Sequence, residues 1–279
     1  MLAYRHAFHA GNHADVLKHL TLMLVLKHMN LKEKPYRYID THAGAGGYSL
    51  HSKYARKNAE FEQGIGRLWE ATDAPPPVQE YLDLVRAFNG GRSLEQYPGS
   101  PAIAMQMRRE NDPMSLFELH STDHRILESY VSGHRNIHVS DKDGFEQLKS
   151  QIPPISRRGV ILMDPSYELR SDYSRVISTL KDALLRFASG TYLIWYPQVQ
   201  ILESAEFPKR LLAQSSSWLH VTLRIQAPDS QGFGLQGSGM FVIHPPHTLY
   251  AQLAAILPYL RDHLKQVPNA QFTLEQSGV

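Results

Sequence analysis

The apolar run Gly159-Val160-Ile161-Leu162-Met163 leads straight into Asp164, Pro165, Ser166 and Tyr167. An aspartate leaving a buried strand, fixed by a proline and followed by an aromatic ring, suits a particular chemistry. The exocyclic amine of adenine is a weak nucleophile because its lone pair is delocalised into the ring. The Asp164 carboxylate and the Pro165 carbonyl can each accept one amine hydrogen and draw the nitrogen toward a tetrahedral, nucleophilic geometry. Tyr167 would stack on the base, and alignment with an electrophilic methyl group would supply the rest. Asp-Pro is also a common way to open a turn, which is the plain alternative.

A second candidate is the loop Asp40-Thr41-His42-Ala43-Gly44-Ala45-Gly46-Gly47. Its glycines would let backbone pass close to a cofactor, or simply fit a strand to a helix. The order is not G-x-G-x-x-G, which disfavours a nicotinamide cofactor. Glu118, near the end of the run 115–119, stands where α/β folds hold ribose hydroxyls with an acidic side chain; a solvated carboxylate is the other reading. Histidines 6, 9, 13 and 19 crowd the N-terminus, but none forms H-E-x-x-H and the chain has no cysteine, so no metal site is expected.

Such residues need a frame that brings strand ends together. Short apolar runs predict strands over 36–41, 115–119, 136–140, 159–163, 191–196, 218–225 and 239–243. Helical stretches are expected over 14–29, 101–110, 122–132, 143–150, 172–188, 206–215 and 248–266, with Asn12 and Ser100 as N-caps. Strands alternating with helices mean βαβ units and a mostly parallel sheet. The Gly-rich connection 228–237 contains no helix and implies that the last strand is antiparallel. Between 52 and 95 two apolar stripes, Phe61-Ile65-Leu68-Trp69 and Tyr81-Leu82-Val85-Phe88, flank three consecutive prolines and read as a small helical insertion. The first 14 residues lack periodicity and read as an ordered arm.

The 279 residues carry 29 basic and 27 acidic side chains, a formal charge of +2, which neither demands nor excludes nucleic acid. A hydrophobic content of 42% is ordinary for a globular chain and too high for disorder. The absence of cysteine removes disulfides, thiolate metal sites and cysteine nucleophiles, and fits a reducing cytoplasm. No uninterrupted apolar run is long enough to span a membrane, and the stretch 20–26 is too short for a signal peptide.

Asp-Pro-Ser-Tyr resembles the Asp-Pro-Pro-Tyr motif of adenine-N6 methyltransferases. The N-terminal block MLAYRHAFHAGNHADVLKH, the THAGAGGY loop, and the YPGSP, DKDGF and LMDPSYE segments together resemble the RlmJ family, over essentially the whole chain. Members of that family are bacterial 23S ribosomal RNA adenine-N6 methyltransferases that use S-adenosylmethionine. The resemblance implies a single α/β domain over 1–279, Rossmann-like and of class I, with seven strands in the order 3-2-1-4-5-7-6 and the insertion at 52–95. It implies cofactor contacts at His19, His42, Ser100, Glu118, Asp143, Gly144 and Asp164, beside the loop glycines Gly44 and Gly46. It implies catalysis by Asp164 with Pro165 and Tyr167, and substrate handling by Tyr4, His6 and Lys18. Ser100 would cap a helix whose free N–H groups face the methionine carboxylate, Asp143 would accept from the cofactor's adenine amine, and Lys18 would meet phosphate. The insertion, through Lys53, Arg56, Lys57 and Arg67, would help to grip RNA, unless these residues are only a solvated helix face. The family motif has a second proline where this chain has Ser166, which restores a backbone N–H and loosens the turn. The expectation is a cytoplasmic monomer acting on 23S ribosomal RNA. The alternatives are a DNA adenine methyltransferase, since both nucleic acids present the same adenine edge, and a non-catalytic nucleic-acid-binding protein linked to the use of external DNA.

Overall fold

Residues 6–91, 93–227 and 234–277 are described by a computed structural model. In chain order the strands are β1 (Arg37–Asp40), β2 (Gly47–Ser49), β3 (Gln96–Pro98), β4 (Met114–Phe117), β5 (Ile137–Ser140), β6 (Gly159–Met163), β7 (Thr191–Gln198), β8 (Trp218–Arg224), β9 (Gly237–Ile243) and β10 (Gln271–Gln276). The helices are α1 (His13–Met29), α2 (Lys53–Asn58), α3 (Ile65–Trp69), α4 (Pro76–Phe88), α5 (Ser100–Met107), α6 (Ser121–Val131), α7 (Gly144–Gln151), α8 (Ser171–Arg186), α9 (Leu202–Leu212) and α10 (Leu249–Leu264).

Eight strands form the main sheet in the order β10-β8-β9-β7-β6-β1-β4-β5. The five strands from β5 to β7 are parallel, β9 runs antiparallel to both β7 and β8, and β10 pairs antiparallel with β8. Strands β5-β4-β1-β6-β7-β9-β8 keep the expected order, and the fold is the expected Rossmann-like α/β sheet. The expected count of seven is corrected to eight. Strand β10 leaves little trace in the sequence because only Phe272 and Leu274 in it are apolar and half-buried, too weak an alternation to register at an exposed edge.

Helices cover both faces, so the central strands are apolar on both sides. Along β6, Val160 and Leu162 join one cluster with α1, α4 and α10, while Ile161 and Met163 join the other with α7, α8 and α9. Helix α1 does not have a single buried face. It is buried almost all round, because it packs against α4, α5, α10 and the sheet at once. Its start is as expected: the Asn12 side chain accepts from the Asp15 N–H at 3.0 Å. The start of α5 is not. Gly99 is its N-cap and Ser100 is the first helical residue. Between β2 and β3, which pair as a short antiparallel ribbon, the chain forms α2, a 3₁₀ turn (Glu60–Gln63), α3 and α4. Among the described residues, no helix is long and apolar enough to cross a membrane.

Candidate active site

Strand β1 lies between β4 and β6, where the direction of chain progression across the sheet reverses. Ligands settle beyond the C-terminal strand ends at such a point. A cleft opens there, lined by the segments following β1, β4, β5 and β6 and by residues of α1 and α8.

One side of the cleft is a chain of buried charges. Lys18, only 3% exposed, extends from α1 to place Nζ 2.5 Å from Asp164 Oδ2 and 2.8 Å from Asp15 Oδ1. Asp15 also accepts from the Gly11 N–H at 2.8 Å and lies 2.9 Å from His6 Nε2. Burial pushes the Asp164 carboxyl up to about 6, against the opposing pull of Lys18 and His6. Burial would also raise Asp15, but His6 and Lys18 outweigh it and hold that carboxylate well below its ordinary range. For Lys18, burial opposes the charge, and the two carboxylates overcome it and hold the amine above its ordinary value. The expected role of Lys18 as a charge for phosphate is therefore corrected: its ammonium is enclosed between two carboxylates.

Pro165 and Ser166 line the cleft beside Asp164. Tyr167 does not. Its backbone is left-handed, with φ 54°, and the side chain turns back under β7. The ring packs 4.6 Å from Tyr173, 5.9 Å from Phe207 and 6.0 Å from Trp195, and its hydroxyl donates to the Trp195 carbonyl at 2.6 Å. At 7% exposure the ring offers no open face to a base, which corrects the stacking role expected of it.

The opposite side is built on the first glycine loop. Gly44, with φ 63°, donates its N–H to Glu118 Oε2 at 2.8 Å, and the His120 N–H reaches Oε1 at 2.6 Å. Burial raises the Glu118 carboxyl above its ordinary range, against these two donors. Ser100 lines the cleft, but its hydroxyl donates to Asp40 Oδ2 at 2.6 Å. Asp40 also accepts from the Tyr38 hydroxyl and the His42 N–H, and so ties the glycine loop to α5. His42 stands edge-on to Phe145 at 4.6 Å, and burial lowers its pKa to about 4. His19 bonds through Nδ1 to the Tyr97 hydroxyl at 2.8 Å; burial lowers its pKa to about 3. Its buried Nε2 has no partner among the described residues.

Asp143 lines the cleft, but its carboxylate is engaged. Oδ1 caps α7 through the Phe145 and Glu146 N–H groups, and Oδ2 lies 2.7 Å from Arg175, whose guanidinium covers the Phe145 ring at 4.6 Å. Burial would raise this carboxyl, but the Arg175 contact and the cap hold it low. Gly144 and Gly46 do not line the cleft. A Cβ on Gly144 would overlap the Thr41 carbonyl oxygen, and one on Gly46 would press on Leu127 of α6. Close packing behind the loop explains why these two positions are glycine. His6 lines the cleft with its ring 5.1 Å from Tyr48, and Tyr4 lies outside the described residues. Among the described residues no group of three ligating side chains could hold a metal ion.

The family model "Ribosomal RNA large subunit methyltransferase D, RlmJ" matches residues 33–275. The chain belongs to the RlmJ family. It is 44% identical over 277 residues to "Ribosomal RNA large subunit methyltransferase J" of Haemophilus influenzae, covering 99% of this chain and 98% of that protein. It is 42% identical to the Escherichia coli protein of the same name, covering 96% and 95%. The crystal structure of protein LPL1258 from Legionella pneumophila superposes with a TM-score of 0.89 at 31% identity, covering 96% of this chain and 98% of that one.

The RlmJ resemblance in the sequence named most of the cleft's residues but gave no role to Asp15, Asp40 or Arg175. Asp40 had a signal: it ends the first strand directly before the glycine loop. Asp15 was visible only as a helix-capping partner, and Arg175, in the middle of a charged helix, gave none.

Proposed function

We propose that this protein transfers a methyl group to N6 of an adenine in 23S ribosomal RNA, in the cytoplasm, using S-adenosylmethionine. The observation that carries this reading is the Asp164 carboxylate, half-buried after β6 against Lys18 and followed by Pro165, in one cleft with Glu118 and His19. The names of the relatives support the choice of ribosomal RNA over DNA.

The cleft fits the proposed cofactor on two observations. The orphaned Nε2 of His19 is a buried polar atom in need of a partner. The Glu118 carboxylate, anchored by two backbone donors, keeps acceptor capacity for a pair of hydroxyls. His19 and Glu118 would hold the cofactor, with Gly44 and His42 along its length. S-adenosylmethionine supplies the electrophilic methyl group.

The protein's own residues then act on the target base, which must leave its stack to reach Asp164. Lys18 occupies Oδ2 of Asp164, leaving Oδ1 to accept one amine hydrogen while the Pro165 carbonyl accepts the other. The Lys18 cation keeps Asp164 ionised at neutral pH despite its burial. A carboxylate that titrates near 6 can also receive the proton that N6 must shed after methyl transfer.

The test is mass-spectrometric detection of methylation on purified, unmodified 23S ribosomal RNA, against a panel of DNA duplexes and single strands. N6-methyladenosine in the RNA is the expected result. Methylation of DNA with none in RNA, or of neither, overturns the proposal.

A further inference from the structure

Helix α2 carries Lys53, Arg56 and Lys57, all exposed, and no acidic side chain. Among the described residues none of the three has a carboxylate partner; Arg56 reaches only His51 Nδ1, at 3.2 Å. The other described cations of this segment, Arg67 and Arg86, are engaged elsewhere. Arg67 donates to the carbonyls of His263 and Lys265, and Arg86 to Asp83 and the Trp69 carbonyl.

Two half-buried aromatic rings sit among the free cations. Phe8 and Tyr54 meet edge to face at 5.2 Å, with the Lys57 ammonium 5.6 Å from the Phe8 ring and the Lys53 ammonium 5.2 Å from the Tyr54 ring. A solvated helix face needs cations alone, whereas cations interleaved with accessible rings are the composition that single-stranded nucleic acid favours. The patch also adjoins the cleft. Phe8 belongs to the same 3₁₀ turn, His6–Phe8, as His6, which lines the cleft, and His9 anchors that turn to Glu60 at 3.0 Å.

We infer that this face of α2 and the His6–Phe8 turn binds the single-stranded RNA next to the target adenosine. Lys53, Arg56 and Lys57 take its phosphates, and a flanking base lies on the Phe8–Tyr54 pair. The inference rests on the proposed RNA methylation and adds where the RNA outside the cleft is held.

The test uses fluorescence anisotropy of the full chain with a single-stranded RNA fragment from 23S ribosomal RNA, at several salt concentrations, for the wild type, Lys53→Ala/Lys57→Ala and Lys53→Arg/Lys57→Arg. Losing two phosphate contacts should flatten the slope of log Kd against log salt by about 1.4. Kd should rise about tenfold at low salt, and the double arginine variant should restore both. Affinity for S-adenosylhomocysteine should not change, which shows that the variant is folded. Tyr54→Ala should weaken binding without altering the salt slope. A double alanine variant with the wild-type Kd and slope overturns the inference. Failure of the functional reading looks different: the wild type binds RNA with this salt dependence yet leaves it unmethylated.

Discussion

In the proposed mechanism Asp164 does not act alone: Lys18, 2.5 Å from its Oδ2, favours the ionised carboxylate against burial. Replacing Asp164 by Asn keeps the shape but removes the charge opposite a nitrogen that becomes positive, and turnover should fall about 10²–10³-fold. Asp164→Ala should be at least as severe, and both variants should keep their fold when followed by circular dichroism. If the ionised carboxylate is the working form, kcat/KM should rise with pH through about 6 and level off above it. Lys18 favours the ionised form, so Lys18→Met should move that inflection to higher pH while leaving cofactor affinity intact. A pH profile that stays in place would remove Lys18 from this role. Glu118→Ala should weaken S-adenosylhomocysteine binding by about 1.5–3 kcal/mol in calorimetry, through the loss of charge-assisted hydrogen bonds. The Asp-Pro-Ser-Tyr motif was readable as a string, and its Asp164 and Pro165 both line the cleft. Its aromatic ring does not, because the backbone sign at Tyr167, which four letters do not encode, turns the ring away.

The elements around the cleft hold it by close approach. The first turn of α7 lies against the loop after β1 so tightly that any side chain at position 144 would overlap the Thr41 carbonyl oxygen. Gly144→Ala should cost about 1–3 kcal/mol in chemical denaturation, in the range of overpacked interiors. It should also weaken cofactor binding, since the displaced loop carries His42 and Gly44. An unchanged unfolding midpoint would contradict this packing. The alternation of strands and helices was legible because buried parallel strands are apolar runs and helix starts carry local signals such as Asn12. The all-round burial of α1 and the existence of β10 were not legible, for a common reason. How much of an element is buried depends on how many neighbours it meets, which periodicity within the element does not record.

At the scale of the whole molecule, buried and cleft-lining histidines couple stability to acidity. Burial lowers His13 and His42 to about 4 and His19 to about 3, from an ordinary 6.5. The unfolded chain takes up these protons below about pH 6.5, while the folded protein refuses them until about pH 4. Their contribution is therefore intact above 6.5 and lost as the pH falls through that window, by about 1.4 kcal/mol for each tenfold difference in proton affinity between the two states. Asp164, raised to about 6, works in the opposite direction, as do the raised Asp40, Glu118 and Asp172 carboxyls and the raised His9, while His28 and His220 are lowered like the three histidines. Calorimetric melting should occur several degrees lower at pH 5 than at pH 7.5, and an equal or higher melting temperature at pH 5 would refute this balance. By itself the sequence determined the order of strands and helices, the loops that would end near one another, and the aspartate at the end of the fourth core strand, because apolar runs, caps and turn residues act over a few positions. Only the tertiary structure decided that Lys18 meets Asp164 across 146 residues, that Glu118 takes the Gly44 N–H across 74, and that Asp143 is shared with Arg175. Those partnerships depend on which side chains burial brings within 3 Å of one another, and that is a property of the packed chain, not of any segment in it.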